Sequence, residues 1–434
     1  MKFFLPLIIF FAFVFSANAQ TAAGVPAVTE FDVNGLKVLF KQRSSSPTVS
    51  AGLFIRGGVR NQTAQNAGIE NLTLSVAVES SKKYPREALR KELSRTGSVI
   101  GGSSTFDFGV MSLTSTSENL ERSWDAFTDL FLNPTFAPDD VDRIKSAILA
   151  GLRNETASPD SALGSLEEKV VYAGHPYANG PAGTIETVSK LTPADLRAYH
   201  KTLLQTSRLL LVIVGDADPA QIKRLVTASF GKLPKGTYRD TPTPKIEFAK
   251  PSLDTTQRSL NTNYVKGVFA APSIADPDYC AMRVAMAILQ GHVYQEVRIK
   301  RNLSYAPNAE MGSRAANTAE IYVTSIDANQ SVDLMLKEIK ALQSGALDQG
   351  EFEGVPGYFL TTYYIDQETN GAQAADLARY ELFGGGWKKS FEFLNGVRSV
   401  TARDVQAAAN KYMKNLRFIY IGNTAEINRT VYLQ

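Results

Sequence analysis

The chain has 434 residues, more than one hydrophobic core usually supports, so two units of about 200 residues each are the starting expectation. Apolar residues make up 44% and charged residues 21%, the profile of a folded soluble protein rather than a disordered or membrane-spanning one. The formal charge is only +3 and the lysines and arginines are scattered, which excludes a nucleic-acid surface.

The opening stretch "MKFFLPLIIFFAFVFSANAQ" sets one lysine before an apolar run and then small residues ahead of Gln20, so residues 1–19 read as a signal peptide. The run is shorter than the ~20 residues needed to span a bilayer, and no membrane span is expected in the mature chain. The lone Cys280 forms no internal disulfide and reads as a small core residue. Export without disulfides points to a bacterial periplasm.

Further along, "GLKVLF" and "VSAGLFIRGG" read as strands ahead of "NAGIENLTLSVAVESS" (66–81), a helix entered through a small-residue turn. "MSLTSTSENLERSWDAFTDLF", from Met111, is a strand leading through a polar turn into an amphipathic helix. "LTPADLRAYHKTLLQTSRLLLVIVGDAD", from Leu191, is a helix opened by the capping box Thr192/Asp195 and followed by an apolar strand closed by Gly215. Both patterns return in the second half. "IYVTSIDANQSVDLMLKEIKAL" from Ile321 matches the first, and "VTARDVQAAANKYMKNLRFIYIGNTAE" from Val400, with Thr401/Asp404 and Gly422, matches the second. Two matches near one offset indicate a duplicated domain. The expected division is 27–232 for the first domain, a linker at 233–252 with four prolines, and 253–434 for the second. Each domain is expected to be α+β, a mostly antiparallel sheet with helices packed on one face.

Taken in order, "LFIRGGVRNQTAQNAGIEN", "GHPYANGPAGTIETVSKLTPADLRAYHKTLL", "LLLVIVGDAD", "VYQEVRIKRNLSYAPNAE" and "VTARDVQAAANKYM" resemble the inverted-motif zinc peptidases, the family of insulin-degrading enzyme, pitrilysin and the mitochondrial processing peptidase. The resemblance implies paired domains that close around an extended peptide. Active members carry H-x-x-E-H after a turn like "NAGI", where two histidines four apart on a helix grip zinc and the glutamate activates water. Here that pentad is Asn71-Leu72-Thr73-Leu74-Ser75, and the family's third ligand position, about seventy-five residues on, falls on Gly151 with Glu155 one helical turn away. Of the three histidines, His175 sits in a "GHPY" loop, His200 on a helix opposite Leu196 and Leu203, and His292 elsewhere, so no metal or other cofactor is expected in this chain. No serine or cysteine nucleophile with a known signature replaces zinc.

The second half retains Arg298 and Tyr305, seven residues apart, the first late in a helix and the second where a strand begins. In this family a matching arginine and tyrosine reach the substrate at the zinc, where guanidinium and phenol donors hold a peptide carbonyl and its developing charge. Lys300 and Arg301 read as solvated surface, and "LFGGGWKKS" (382–390) as a helix-ending turn. The pattern resembles the zinc-free subunit of a two-chain peptidase, with Arg298 and Tyr305 acting in trans on an extended peptide and zinc held by an H-x-x-E-H partner. The alternative is a non-catalytic peptide-binding or scaffolding protein that adds a peptide strand to a sheet edge such as "SVIGGSSTFDFGVMSLT".

Overall fold

In the computed structural model of the chain, the described residues are 28–154, 157–345, 347 and 349–434. The expected leader and Glu155 lie outside them.

The first half builds a six-stranded sheet from β1 (Val28–Val33), β2 (Leu36–Gln42), β3 (Thr48–Arg56), β4 (Val99–Ser104), β5 (Phe108–Thr116) and β6 (Leu209–Gly215), in the order β1-β2-β6-β3-β5-β4. The second half builds a five-stranded sheet from β7 (Ser252–Gln257), β8 (Asn263–Ala271), β9 (Asn308–Met311), β10 (Asn317–Ser325) and β11 (Arg417–Gly422), in the order β7-β11-β8-β10-β9. Without β1 the two orders coincide strand for strand. Each contains one parallel pair, β2 with β6 and β7 with β11, and is otherwise antiparallel. The sequence duplication is therefore a duplicated α+β fold. Both sheets end the repeated strand on a glycine for the same reason. A Cβ on Gly215 would collide with the Thr48 carbonyl oxygen, and one on Gly422 with the Asn263 side chain.

The helices of the first half are α1 (Ile69–Ala77), α2 (Arg86–Thr96), α3 (Leu120–Leu132), α4 (Pro138–Asn154), α5 (Pro159–Val171), α6 (Ile185–Lys190), α7 (Pro193–Leu203) and α8 (Pro219–Phe230). Those of the second are α9 (Tyr279–Val293), α10 (Ala328–Ser344), α11 (Gln349–Asp366), α12 (Asn370–Phe383), α13 (Phe393–Arg398), α14 (Ala402–Tyr412) and α15 (Arg429–Tyr432). The capping boxes at Thr192 and Thr401 both form and start α7 and α14. Most helices of each half pack on one face of their own sheet, where the apolar stripes of α3 and α10 meet alternate strand residues.

The opposite faces are covered by exchange. Ala374, Leu377 and Ala378 of α12 lie on Phe54, Leu210, Val212 and Val214 of the first sheet, while Ala162 and Leu163 of α5 lie against Val268, Ile419 and Ile421 of the second. All seven residues of β6 are consequently buried, as its unbroken apolar run requires. Polar contacts fix the seam. Arg43 Nη1 donates to Asn370 Oδ1 at 2.9 Å, whose amide donates to the Thr48 carbonyl at 2.9 Å. Tyr177 donates to buried Asp107, which also accepts from the Ala315 N–H at 3.1 Å. Lys266 bridges Glu167 at 2.8 Å and Glu320 at 2.9 Å.

Candidate functional site

Helix α1 carries the positions where the resemblance places zinc ligands. Asn71 and Ser75 are four apart and share a half-exposed face, as the helical period requires, but neither side chain is a strong metal donor. Each instead binds the backbone of β4. Asn71 Oδ1 accepts the Ser104 N–H at 3.2 Å, and Ser75 Oγ donates to the Gly102 carbonyl at 3.2 Å. Gly102 and Ser104 are two apart on a strand with one neighbour, so these backbone groups belong to the open edge of the sheet. The former ligand positions have become caps on that edge.

Leu74, at the position of the catalytic glutamate, is fully buried, and a Cβ built on Gly109 would meet its side chain at 2.7 Å. At Gly151 a side chain would meet nothing within 4 Å, so the third ligand is missing although space for it remains. The donors present do not fit zinc. Among the described residues there is no group of three or more histidine, cysteine, aspartate or glutamate side chains able to hold a metal.

Directly before the first ligand position, Glu70 is fully buried. Its carboxylate accepts from Tyr199 at 2.6 Å, Ser104 at 3.0 Å and Arg208 at 3.3 Å, and Arg208 also donates to the Tyr199 hydroxyl at 3.1 Å. Burial pushes the Glu70 pKa up, and the Arg208 charge with the Tyr199 and Ser104 hydrogen bonds opposes that rise. Sequence reading missed this network. Its one signal was a charged residue, Glu70, following Ile69 at the start of a helix whose next turns carry Leu72, Leu74 and Val76.

The histidines are dispersed. His175 Nδ1 accepts the Tyr177 N–H at 3.1 Å and its Nε2 meets the Pro244 carbonyl at 2.9 Å, so it does shape its loop. His200 corrects the expectation from sequence. It is 6% exposed, its Nε2 lies 2.7 Å from the Phe131 carbonyl, and burial pushes its pKa down. Residues four apart share a helix face, so His200 lies with Leu196 rather than opposite it. His292 of α9 pairs with Glu338 of α10 at 3.1 Å.

In the second half, α9 runs without a break into a π-helical segment, Tyr294–Ile299, in which the Lys300 N–H reaches back to the Gln295 carbonyl at 2.9 Å. Such segments are rare and recur at functional sites. Arg298 lies in it, and its guanidinium sits 5.0 Å from the Tyr305 ring centroid. Tyr305 stands in the loop three residues before β9 rather than at the strand itself, and it is 80% exposed. On the same segment, Glu296 accepts from both Lys300 and Arg301, so those two cations brace it. A cation–π contact at an exposed site contributes ~0.5–1 kcal/mol, enough to bias two side-chain orientations but not to explain an aromatic left in water.

The family profile described as insulinase (peptidase family M16) matches residues 37–183, and that described as peptidase M16 inactive domain matches residues 190–355. Together they cover more than half of the chain. The chain belongs to the peptidase M16 family. Within it, the chain is 26% identical over 306 residues to cytochrome b-c1 complex subunit 1, mitochondrial, of Bos taurus, covering 69% of this chain and 61% of that subunit. It is 21% identical over 412 residues to the mitochondrial-processing peptidase subunit beta of Blastocladiella emersonii, covering 90% of this chain and 87% of that one. The first of these relatives is thus matched over less than two thirds of its length. In fold the chain is similar to a peptidase M16 inactive domain from Pseudomonas fluorescens, with a TM-score of 0.84, 21% identity, and coverage of 92% and 98% of the two chains. In this M16 member the two histidine positions of the zinc pentad carry Asn71 and Ser75, which hold a sheet edge instead. Among the described residues no helix is long and apolar enough to cross a membrane.

Proposed function

We propose that this chain is the zinc-free subunit of a two-chain peptidase, working in the periplasm beside an M16 partner that carries H-x-x-E-H. The observation that carries the reading is the contact between Arg298, half-buried on the π-helical segment, and the exposed Tyr305 ring, kept in a chain whose own metal positions have been turned to structure. Zinc held by the partner's H-x-x-E-H would supply the polarisation of the peptide carbonyl. Arg298 and Tyr305 donate hydrogen bonds to the bound peptide and to the oxygen on which charge develops, a role suited to a planar guanidinium and a phenol. Tyr305 lies open in the isolated chain because its covering surface is the partner and the peptide. The division between the domains falls in residues 233–252, a proline-rich passage pinned where Lys245 meets Asp276 at 2.8 Å.

A second reading, a non-catalytic scaffold, draws support from the similarity to a subunit of the cytochrome b-c1 complex. Its peptide-binding form, strand addition at β4, is disfavoured because Asn71 and Ser75 already occupy that edge. The two readings separate in one reconstitution. The chain is mixed with an exported H-x-x-E-H homologue from the same genome, and cleavage of an unstructured peptide is followed. Activity of the mixture well above that of the homologue alone supports the two-chain peptidase, and equal activity rejects it.

A further inference from the structure

Between α9, α11 and α12 the second half forms an open pocket of about 400 Å³ in which Arg283 and Arg379 stand among Tyr279, Tyr363 and Tyr380. Several of its donors are left without an acceptor. Arg379 spends Nη2 on Asp376 at 3.0 Å and Nη1 on Ser313 at 3.1 Å, while its buried Nε has no partner among the described residues. Arg283 gives one N–H to the Met311 carbonyl at 3.3 Å and lies 5.7 Å from the Phe359 ring centroid, which leaves most of a guanidinium's five donors unused. Among the described residues the hydroxyls of Tyr279 and Tyr380 also have no hydrogen-bond partner, although both rings are buried, at 7% and 6% exposure. Among the described residues the one donor here withdrawn from water without an acceptor is Arg379 Nε, at a cost of ~1–3 kcal/mol, and with the donors of Arg283, Tyr279 and Tyr380 lining the same space the pocket favours a ligand that brings acceptors. Asp376 offsets one of the two guanidinium charges, and Asp366 lies at the exposed margin. That balance suits a monoanion better than a phosphate dianion.

The pocket continues past Arg283, Met311 and Phe359 into a groove of about 670 Å³ between α9, β9 and α11, walled by Met286, Val355 and Tyr358. A ligand there has little strand edge to pair with. The Ala309 N–H is taken by Gln290 Oε1 at 2.5 Å and the Met311 carbonyl by Arg283, so the groove offers apolar walls rather than backbone ladders. A charged end joined to a run of side chains matches both parts.

We propose that this pocket and groove bind the free C-terminal end of a peptide. The α-carboxylate meets Arg283 and the Tyr279 and Tyr380 hydroxyls, with Arg379 adding its charge, and the preceding side chains lie on Met286, Val355, Tyr358 and Phe359. The inference rests on the reading that this chain handles peptides but needs no partner subunit, so it is tested on the full chain alone and fails or holds apart from the trans reading.

Binding of a fluorescent unstructured peptide ending in leucine and phenylalanine is measured by anisotropy, as free acid and as C-terminal amide, with inorganic phosphate and acetate as competitors. The acid is expected to bind at least about tenfold tighter, since hydrogen bonds to a charged group are worth ~1.5–3 kcal/mol. R283Q removes that preference, and Y279F, which deletes only a hydroxyl and keeps the fold, narrows it. Y358A, at a half-open wall position, weakens acid and amide alike. Equal affinity of acid and amide, no binding of either, or displacement by phosphate as effective as by free-acid peptide would overturn the proposal.

Discussion

Replacing Arg208 by methionine leaves Glu70 buried beneath the former metal face with no countercharge. The carboxylate is fully buried and Arg208 is 4% exposed, so water cannot replace the lost partner without opening the core. Removing one member of a buried ion pair typically costs ~3–5 kcal/mol, which for a unit of ~200 residues lowers Tm by about 6–20 °C. The loss depends on pH in a defined direction. Burial already raises the Glu70 pKa against the opposing pull of Arg208, and without Arg208 it rises further. Between the ordinary glutamate value and that raised value, the folded variant holds a proton that the unfolded chain has released. Its stability therefore falls as pH rises through this window, by up to about 1.4 kcal/mol per unit. Urea unfolding of R208M is thus expected to show a small loss at pH 5 and the full loss at pH 8, and the double variant E70Q/R208M should recover most of it at pH 8. A loss below 1 kcal/mol at pH 8, or one that does not change with pH, would refute the view that this pair is held by burial and charge together.

Other consequences follow from the same structure. N71A and S75A each remove one cap from β4, at a cost of ~1 kcal/mol apiece, and hydrogen exchange at the Ser104 amide should accelerate in N71A while the β5 amides are unaffected. Unchanged Ser104 protection would mean the edge is sealed by something else. At the seam, burial pushes the Glu320 pKa up to about 7 against the pull of Lys266, with the Glu167 and Glu310 charges adding to the rise. Folded chain therefore retains a proton there that unfolded chain has lost, stability falls as pH climbs from the ordinary glutamate value to about 7, and E320Q should flatten that slope in thermal melts. An identical slope in E320Q would assign the pH response to other groups.

The fold was legible where local chemistry and periodicity agree. Thr192/Asp195 and Thr401/Asp404 mark two helix starts by capping alone, and the run Leu209–Gly215 can be apolar throughout only if both of its faces are covered. What covers those faces was not legible. The small residues Ala374 and Ala378 suit any close helix contact, and nothing in their spacing says that α12 crosses to the other half's sheet. At the site, the loss of Asn71 and Ser75 as ligands was plain from residue type, whereas their new duty depends on β4 lying beside α1, a contact made across about thirty residues of chain. Arg298 and Tyr305 could be singled out by motif, but the π-helical geometry that stacks them has no sequence signature of its own. Arg283 and Arg379 were missed for a similar reason, since each reads as an ordinary charge in an amphipathic helix until α11 closes over them.

The central claim is that Arg298 and Tyr305 act at a zinc site on another chain. Its most direct measurement is kcat/KM for peptide cleavage by the reconstituted pair, with this chain as wild type, R298A or Y305F, alongside sedimentation to confirm that each variant still assembles. Intact assembly with kcat/KM lowered about 10²–10³-fold by R298A is the expected result. Full activity in both assembled variants would contradict it.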